Sequence, residues 1–449
     1  MKRVLMIAEK FPPYNASGSA RPFYFAKYLP ELGFEPLVIG CRPRRGEASD
    51  PARLLELPSE VRVWRSPRVL YPLVEQARAL RKKARALAAA GKAHASSAAA
   101  PPARARAAAQ LVERIEELNW WLHWEVDWAA PAGVIARLAA GRHAPDLIWA
   151  TGPPFRGLAL GARLASRLHK PLVLDLRDPW TYGSLWSPAT PGVARNERTQ
   201  AERALAQADR IIFTSPLTLE SMCQRFPALP RAKLLTITNG FDDVPVAPLR
   251  GWPEEKCVFR YVGTLNARRQ PDGLIRAFDL AGREPGFREE AVLELIGSAG
   301  GHERKAALAP GAQVVFRGPV SHAKSQRYMF GSDVNLLLQT ISEGQDVVSG
   351  KAFEYLHAGR PILAVVDPAG GDAWLMRQTG AGRIAAYSDD TAIAEQLVAC
   401  WRAWRAGERG IPGSARAGFG RRELTAQLAA CFEELCAGRR QAPPGASGT

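Results

Sequence analysis

Much that would announce a metal, redox or membrane-spanning protein is missing from this 449-residue chain. Its six cysteines, at 41, 223, 257, 400, 431 and 436, form no Cys-x-x-Cys pair and no ordered framework. That disfavours a disulfide scaffold and fits a reduced, cytoplasmic compartment. The seven histidines are scattered without a His-x-x-x-His, and no Asp-x-Asp marks a divalent-cation clamp, so no metal site is expected. No Gly-x-Gly-x-x-Gly follows the first apolar run, which disfavours a dinucleotide site. Nowhere do 18 apolar residues stand together, so any membrane contact is expected to be peripheral. The opening Lys2-Arg3-Val4-Leu5-Met6-Ile7-Ala8 starts like a leader, but Glu9 and Lys10 cut it short, and it reads as a first buried strand. Acidic residues are the scarcer sign: 44 Asp and Glu face 60 Lys and Arg, a net charge of +16. Such a surplus calls for an anionic partner, whether nucleic acid, lipid or phosphorylated small molecule.

What is present is the composition of a soluble globular protein, 47% hydrophobic and 23% charged, in a chain long enough for two domains. Apolar runs recur between helical stretches at Val4–Ala8, Pro36–Gly40, Val61–Trp64, Asp146–Ala150, Pro171–Leu176, Arg210–Thr214 and Leu234–Ile237. After turn residues and prolines from Asn239 to Pro253 they resume at Val258–Gly263, Val292–Gly297, Val314–Gly318, Val334–Leu338, Ile362–Val366 and Arg383–Tyr387. Continuous apolar strands alternating with helices predict parallel sheets covered on both faces, hence two doubly wound α/β domains over 1–245 and 254–420. Residues 78–110 are Ala-, Arg- and Lys-rich and read as an insertion, part helical and part loose. The end, 439–449, has the composition of a disordered tail.

Four segments carry candidate chemistry. The stretch from Val348 to Ala364 reads as a loop, a short helix ended by Gly359, and a strand. The N-terminus of that helix favours anions, Lys351 adds a point charge for phosphate, and the Glu354 carboxylate can take two sugar hydroxyls. A surface Lys and Glu three residues apart is an equal alternative on these residues alone. The first strand leads into the loop from Glu9 to Ser19, where Gly18 permits close backbone approach and Arg21 supplies charge. The pair Thr151-Gly152-Pro153-Pro154 and Asp175-Leu176-Arg177-Asp178-Pro179-Trp180 sits at strand ends, with an Arg177–Asp178 or Arg177–Asp175 ion pair as the plain alternative. Tyr261-Val262-Gly263-Thr264-Leu265, with Arg268 and Arg269 following, opens the second domain.

Taken in order, these segments resemble retaining GT-B-fold glycosyltransferases of family 4 (glycosyl transferases group 1), which include bacterial polysaccharide and phosphatidylinositol-mannoside enzymes. The resemblance implies two Rossmann-like domains facing a central cleft, with a crossover helix, here 421–438, returning to the N-terminal domain. It implies transfer of a sugar from a nucleotide-sugar donor to a hydroxyl acceptor with retention, independent of metal and with no cofactor beyond the donor. Gly18 and Ser19 match the family's glycine loop, and Gly263, Thr264 and Arg269 match its phosphate-binding stretch, with Thr264 replacing an Arg and Arg269 replacing a Lys. Arg177 stands where relatives carry an active-site His, beside Asp178. Of two acids separated by seven residues, Asp346 matches the first, with Glu343 as its competitor, and Glu354 matches the second. Catalytic roles therefore fall to Arg177, Asp178 and Asp346, and donor binding to Gly18, Ser19, Gly263, Thr264, Arg269, Lys351 and Glu354. Two other classes stay open: a nucleotide-sugar epimerase of the same fold, and a non-catalytic binding homologue.

Expected partners are the donor, a lipid-linked or oligosaccharide acceptor and an anionic surface at the inner face of the plasma membrane; no nucleic-acid module is recognisable. Arg78, Arg81, Lys82, Lys83 and Arg85 precede Trp120, Trp121, Trp124 and Trp128. The Trp face can sit at a headgroup layer, stack on sugars, or pack into the domain.

Overall fold

The computed structural model describes all residues except 16, 45, 71–102, 184, 185, 267, 304, 306–308, 310, 340–345 and 442–449. The chain divides into two compact units. Unit 1 comprises Met1–Phe213, Met222–Thr236 and the chain from Thr425; unit 2 comprises Thr214–Ser221 and Ile237–Leu424.

In unit 1 the strands are β1 (Lys2–Ile7), β2 (Phe34–Cys41), β3 (Arg62–Ser66), β4 (Leu147–Gly152), β5 (Leu172–Leu176), β6 (Arg210–Phe213) and β7 (Leu234–Thr236). They pair in the order β3-β2-β1-β4-β5-β6-β7, all parallel. Every residue of β4 and β5 is buried, as strands covered on both faces require. The order reverses between β1 and β4, and the carboxyl ends around such a point form the ligand crevice of open α/β sheets. Helix α1 (Ala20–Tyr28) gives way at Leu29-Pro30 to a 3-10 turn, closed by Gly33 at φ 85°. Helix α2 (Ala103–Trp121) runs through a π-helical segment, Leu122–Ala129, into α3 (Ala130–His143). Of the predicted insertion, 103–110 thus form the first turns of α2, and 78–102 lie outside the described residues. Helix α4 (Arg156–Leu168) packs so closely on β4 that a Cβ at Gly161 would stand 2.5 Å from the Ala150 Cβ. Helix α5 (Pro191–Gln207) is capped by Thr190, whose hydroxyl accepts the Val193 N–H at 3.2 Å. Helix α6 (Pro216–Arg225) follows β6.

Unit 2 holds β8 (Cys257–Val262), α7 (Asp272–Ala281), β9 (Ala291–Ile296), β10 (Val314–Arg317), α8 (His322–Phe330), β11 (Val334–Leu338), α9 (Gly350–Ala358), β12 (Ile362–Val366), α10 (Gly371–Thr379), β13 (Gly382–Ala386) and α11 (Asp390–Arg405). The strand order, β10-β9-β8-β11-β12-β13, repeats the doubly wound pattern with its reversal between β8 and β11. Alternate strand residues serve opposite faces: Leu336 and Leu363 join one core cluster, Leu337 and Ala364 the other.

The last helix, α12 (Arg421–Gln441), returns to unit 1. There Phe432 packs edge-on against Phe34 at 5.5 Å, Glu433 pairs with Lys2, and Glu434 lies 3.4 Å from Arg210. The predicted crossover helix is present and longer than predicted. Residues 439–441, read from composition as tail, continue it, because three polar residues add a last turn to an established helix at little cost. Residues 442–449 lie outside the described residues. Among the described residues, no helix is long and apolar enough to cross a membrane.

Candidate functional site

The unit 2 site begins with Ser349, in extended conformation (φ −68°, ψ 142°), after which Gly350 opens α9 and Gly359 closes it at φ 66°. Within the first turn, Lys351 Nζ lies 2.7 Å from Glu354 Oε2, each side chain about a third exposed. The Ser349 N–H donates to Asp372 Oδ1 at 2.8 Å, which ties the first turn of α10 to that of α9. Gly371 is needed for this approach, since a Cβ there would come within 2.8 Å of the Val347 carbonyl. Burial pushes the Asp372 carboxyl up to about 6, against the opposing pull of the Ser349 N–H and of Arg269. The next residue of α9 joins the helix to β8: the Tyr355 hydroxyl accepts the Val262 N–H at 3.2 Å.

Arg269 stands on the loop after β8. Burial raises the Tyr261 phenol to about 12, and the Arg269 charge acts against that rise. Among the described residues no carboxylate forms an ion pair with Arg269. Gly263 and Thr264 lie on the same loop, where the Tyr261 hydroxyl donates to the Thr264 carbonyl at 3.1 Å. Gly297 adopts φ 133° and its missing Cβ lets the loop after β9 lie against the Gly263 carbonyl. The Leu265 N–H then reaches the Ser298 carbonyl at 2.9 Å. Asp346 is anchored through its main chain: its carbonyl accepts the Thr218 hydroxyl at 2.9 Å and the Ser215 hydroxyl. Glu343 lies outside the described residues.

In unit 1, Arg177 is buried and spans two loops. Its guanidinium donates to the carbonyls of Gly18 and Pro153, and its Nε to the Gly152 carbonyl at 3.3 Å. A Cβ at Gly18 would occupy the place of the Arg177 Nη1, so this glycine is required by Arg177 itself. Ser19 is fully buried at the start of α1. Two expectations are corrected here. Arg21 does not offer its charge to the loop; it is buried and bonds Asp175 at 2.7 to 3.0 Å, with the Thr151 hydroxyl on the same carboxylate at 2.7 Å. The alternative Arg177–Asp175 pair is likewise replaced by Arg21–Asp175, because a carboxylate in the buried middle of β5 needs a fully desolvated cation beside it. Asp178 acts on Arg177 electrostatically, favouring its charged form against the larger effect of burial.

Residues 76–244 match the family model described as Glycosyltransferase Family 4. In that stretch the chain is similar to family 4 glycosyltransferases. No curated protein matches it in sequence. Among solved structures, sucrose-phosphate synthase from Thermosynechococcus elongatus aligns at TM-score 0.60 with 15% identity, over 98% of this chain and 100% of that one. HepE of Anabaena, in complex with UDP, aligns at 0.59 with 17% identity, over 97% and 100%. The lipopolysaccharide outer core galactosyltransferase WaaB aligns at 0.57 with 13% identity, also over 97% and 100%. The fold is therefore the GT-B fold of these glycosyltransferases, and the chain's two sheets of 7 and 6 parallel strands are its two Rossmann-like domains.

The tryptophans belong mainly to the core. Trp124 is 7% exposed and Trp128 is fully buried. Rings stack from Trp120 to Trp124 (5.1 Å), to Trp180 (6.5 Å) and to Phe155 (5.2 Å). The Trp120 indole N–H donates to Glu197 at 3.1 Å, and burial raises the Glu197 carboxyl despite that bond and one from Trp186. Trp121 faces the other way, with Val112, Ile115 and Leu118, each 49 to 56% exposed along α2. Among the described residues, no three His, Cys, Asp or Glu side chains gather in a way that can hold a metal ion. Sequence reasoning missed Asp372. Asp372 carried one signal, an acid immediately after Gly370-Gly371 at the start of a helix, a position that favours anions.

Proposed function

We propose that this glycosyltransferase moves a hexosyl group from a nucleotide-sugar donor to a hydroxyl acceptor with retention of configuration and without metal. The observation that carries the reading is the first turn of α9, where backbone N–H groups, Lys351 and Glu354 meet at the carboxyl edge of the unit 2 sheet. Arg269, with no carboxylate partner among the described residues, supplies a second cation for a diphosphate. In this reading Lys351 releases Glu354 when the donor arrives: the ammonium turns to phosphate and the carboxylate to the ribose hydroxyls. Gly263 and Thr264 line the donor through main-chain groups. That the Anabaena neighbour is described in complex with UDP supports a nucleoside diphosphate as the common element.

In the transfer itself the bond between the anomeric carbon and the diphosphate oxygen breaks while the acceptor oxygen bonds the same face. The acceptor proton passes to the departing diphosphate. Arg269, Lys351 and the α9 amides stabilise the charge that develops on the leaving group. Arg177, Asp178 and Asp346 are assigned to the transferred sugar and the acceptor. Bacterial cell-surface polysaccharide or glycolipid assembly is the setting, supported by the description of WaaB as a lipopolysaccharide enzyme. The half-exposed apolar stripe Val112, Ile115, Leu118 and Trp121, together with the basic sequence 78–85, supports contact with an anionic membrane surface.

The test is thermal stabilisation by a panel of nucleoside diphosphates in EDTA, for wild type and Glu354→Ala. A ligand at about 100 times its dissociation constant stabilises by about 2.7 kcal/mol. Stabilisation by one base, lost in the variant, is expected; no response to any nucleotide would move the protein to the non-catalytic class. Turnover of the matching nucleotide sugar without acceptor would identify an epimerase instead, the activity named for one structural neighbour of the same fold at TM-score 0.52 and 11% identity.

A further inference from the structure

The carboxyl edge of the unit 1 sheet holds a group of cations, of which only Arg177 has a role above. Lys10 follows β1, Arg65 and Arg68 come from the end of β3 and just beyond it, Arg156 follows β4 and Arg177 follows β5. β1, β4 and β5 are neighbours in the sheet, so their ends lie side by side. Some of these charges are compensated. Glu9 takes Arg156 Nε at 2.7 Å and Arg68 at 3.0 Å, and Arg68 lies 3.5 Å from Glu47. Burial alone would raise the Glu9 carboxyl, but the hydrogen bond and charge of Arg156 hold it below its ordinary value.

Lys10 and Arg65 are different. Among the described residues, neither forms an ion pair with a carboxylate, and Lys10 makes no side-chain hydrogen bond. Arg65 donates to the Pro12 carbonyl, two residues beyond Lys10, while its Nη1 is buried without a partner. Both cations are half-buried. Burial is the first cause of the lowered proton affinity of Lys10, and Arg177 is the second, ahead of Arg68. Burial likewise lowers that of Arg65. Glu9 and Asp178 offset the effect on Lys10 only in part, so these cations are held out of water at a cost, which an arriving anion lowers. The loop that carries Lys10 is braced to receive one. The Asp50 N–H donates to the Pro13 carbonyl at 2.7 Å, the Asn15 N–H to the Ala48 carbonyl at 2.9 Å, and the Tyr14 hydroxyl to Glu47 at 3.0 Å.

We propose that Lys10 and Arg65, beside Arg177, form a receptor for a phosphate carried by the acceptor. The inference rests on the acceptor reading of this domain and narrows it from any hydroxyl compound to a phosphorylated one. Arg65 offers its half-buried guanidinium and Lys10 its three ammonium protons, which match the oxygens of a phosphate. A free sugar phosphate and a lipid-linked phosphate present the same group, and the site reads the group.

Calorimetric titration tests this with three probes: glucose 6-phosphate, glucose, and a short-chain lipid phosphate in neutral detergent. Wild type should bind at least one of the two phosphorylated probes and should bind glucose at least about 10-fold more weakly, the difference expected of charge-assisted hydrogen bonds. Lys10→Gln should weaken the phosphorylated probe about 10-fold or more, Lys10→Arg should retain most of the binding, and Arg269→Gln should leave it unchanged. Arg65→Gln gives an independent reading of the same receptor should Lys10→Gln fail to fold. Preference for one phosphorylated probe names the source, soluble or lipid. Binding of neither by wild type, or undiminished binding in both Lys10→Gln and Arg65→Gln, would overturn the proposal. Nucleoside diphosphate binding measured on the same variants reports separately on the donor reading, and Lys10→Gln should keep it.

Discussion

The Asp372 carboxylate accepts the main-chain N–H of Ser349 at 2.8 Å, so the N-terminal ends of two helices are joined by an acid from within the protein. The joint sets where the α9 amides point, and it has a measurable dependence on pH. Burial raises Asp372 from 3.8 to about 6, so the folded chain holds this proton more tightly than the unfolded chain. The sign follows: the contribution to stability is greatest below pH 3.8 and falls as the pH climbs to about 6. Above that, the ionised group costs about 3 kcal/mol, from a difference of about two pH units at about 1.36 kcal/mol each. Asp372→Asn keeps an oxygen for the Ser349 N–H and removes the charge. Its stability relative to wild type should rise between pH 4 and pH 7.5 in urea titrations; an equal difference at both ends would refute the assignment.

Lys351 and Glu354 face each other at 2.7 Å but are each about a third exposed. Solvent screening holds such a pair to under about 1 kcal/mol. Lys351→Met should therefore shift the urea midpoint little, while weakening nucleoside diphosphate binding about 10-fold or more through the lost charge-assisted bond. A large stability loss with unchanged nucleotide affinity would make the pair structural.

Gly18 has no room for a side chain because Arg177 fills the space. Gly18→Ala should displace the guanidinium from the Gly18 and Pro153 carbonyls and cost about 1–3 kcal/mol. Equilibrium unfolding of the variant measures this. A neutral result would mean that Arg177 swings aside freely.

Deep in unit 2, Arg260 and Glu294 pair with both side chains fully buried, and Trp252 and Arg317 add bonds to the same carboxylate. Glu294→Ala leaves Arg260 buried without its counterion and should cost about 3–5 kcal/mol. The double variant Arg260→Met with Glu294→Leu should lose less than Glu294→Ala alone. Urea titration of both variants decides, and a greater loss in the double variant would contradict the desolvation argument.

The fold was legible because buried parallel strands write themselves as continuous apolar runs: Val334–Leu338 and Ile362–Val366 appear at the predicted residues. The close of α9 was legible too, since Gly359 takes the left-handed conformation that an αL cap requires. Long-range pairing was not. Arg21 and Asp175 are 154 positions apart, and nothing local to either names the other. Asp175 itself held a clue: a charge inside a run as apolar as Leu172–Leu176 implies a buried partner. The tryptophan stripe was read with the right period, but periodicity does not distinguish a face turned to solvent from one turned to the core. The π-helical turns at 122–129 shift the register just where the stripe enters the core.

The return of α12 to unit 1 also orders events during synthesis. The unit 1 sheet is complete once Thr236 has been made, yet Phe432, which covers Phe34, follows 196 residues later (432 − 236). At about 5–20 residues per second, that patch of the nascent sheet waits about 10–40 s for its own cover. During that interval the Phe34 patch stays open, and it closes only once α12 has been made.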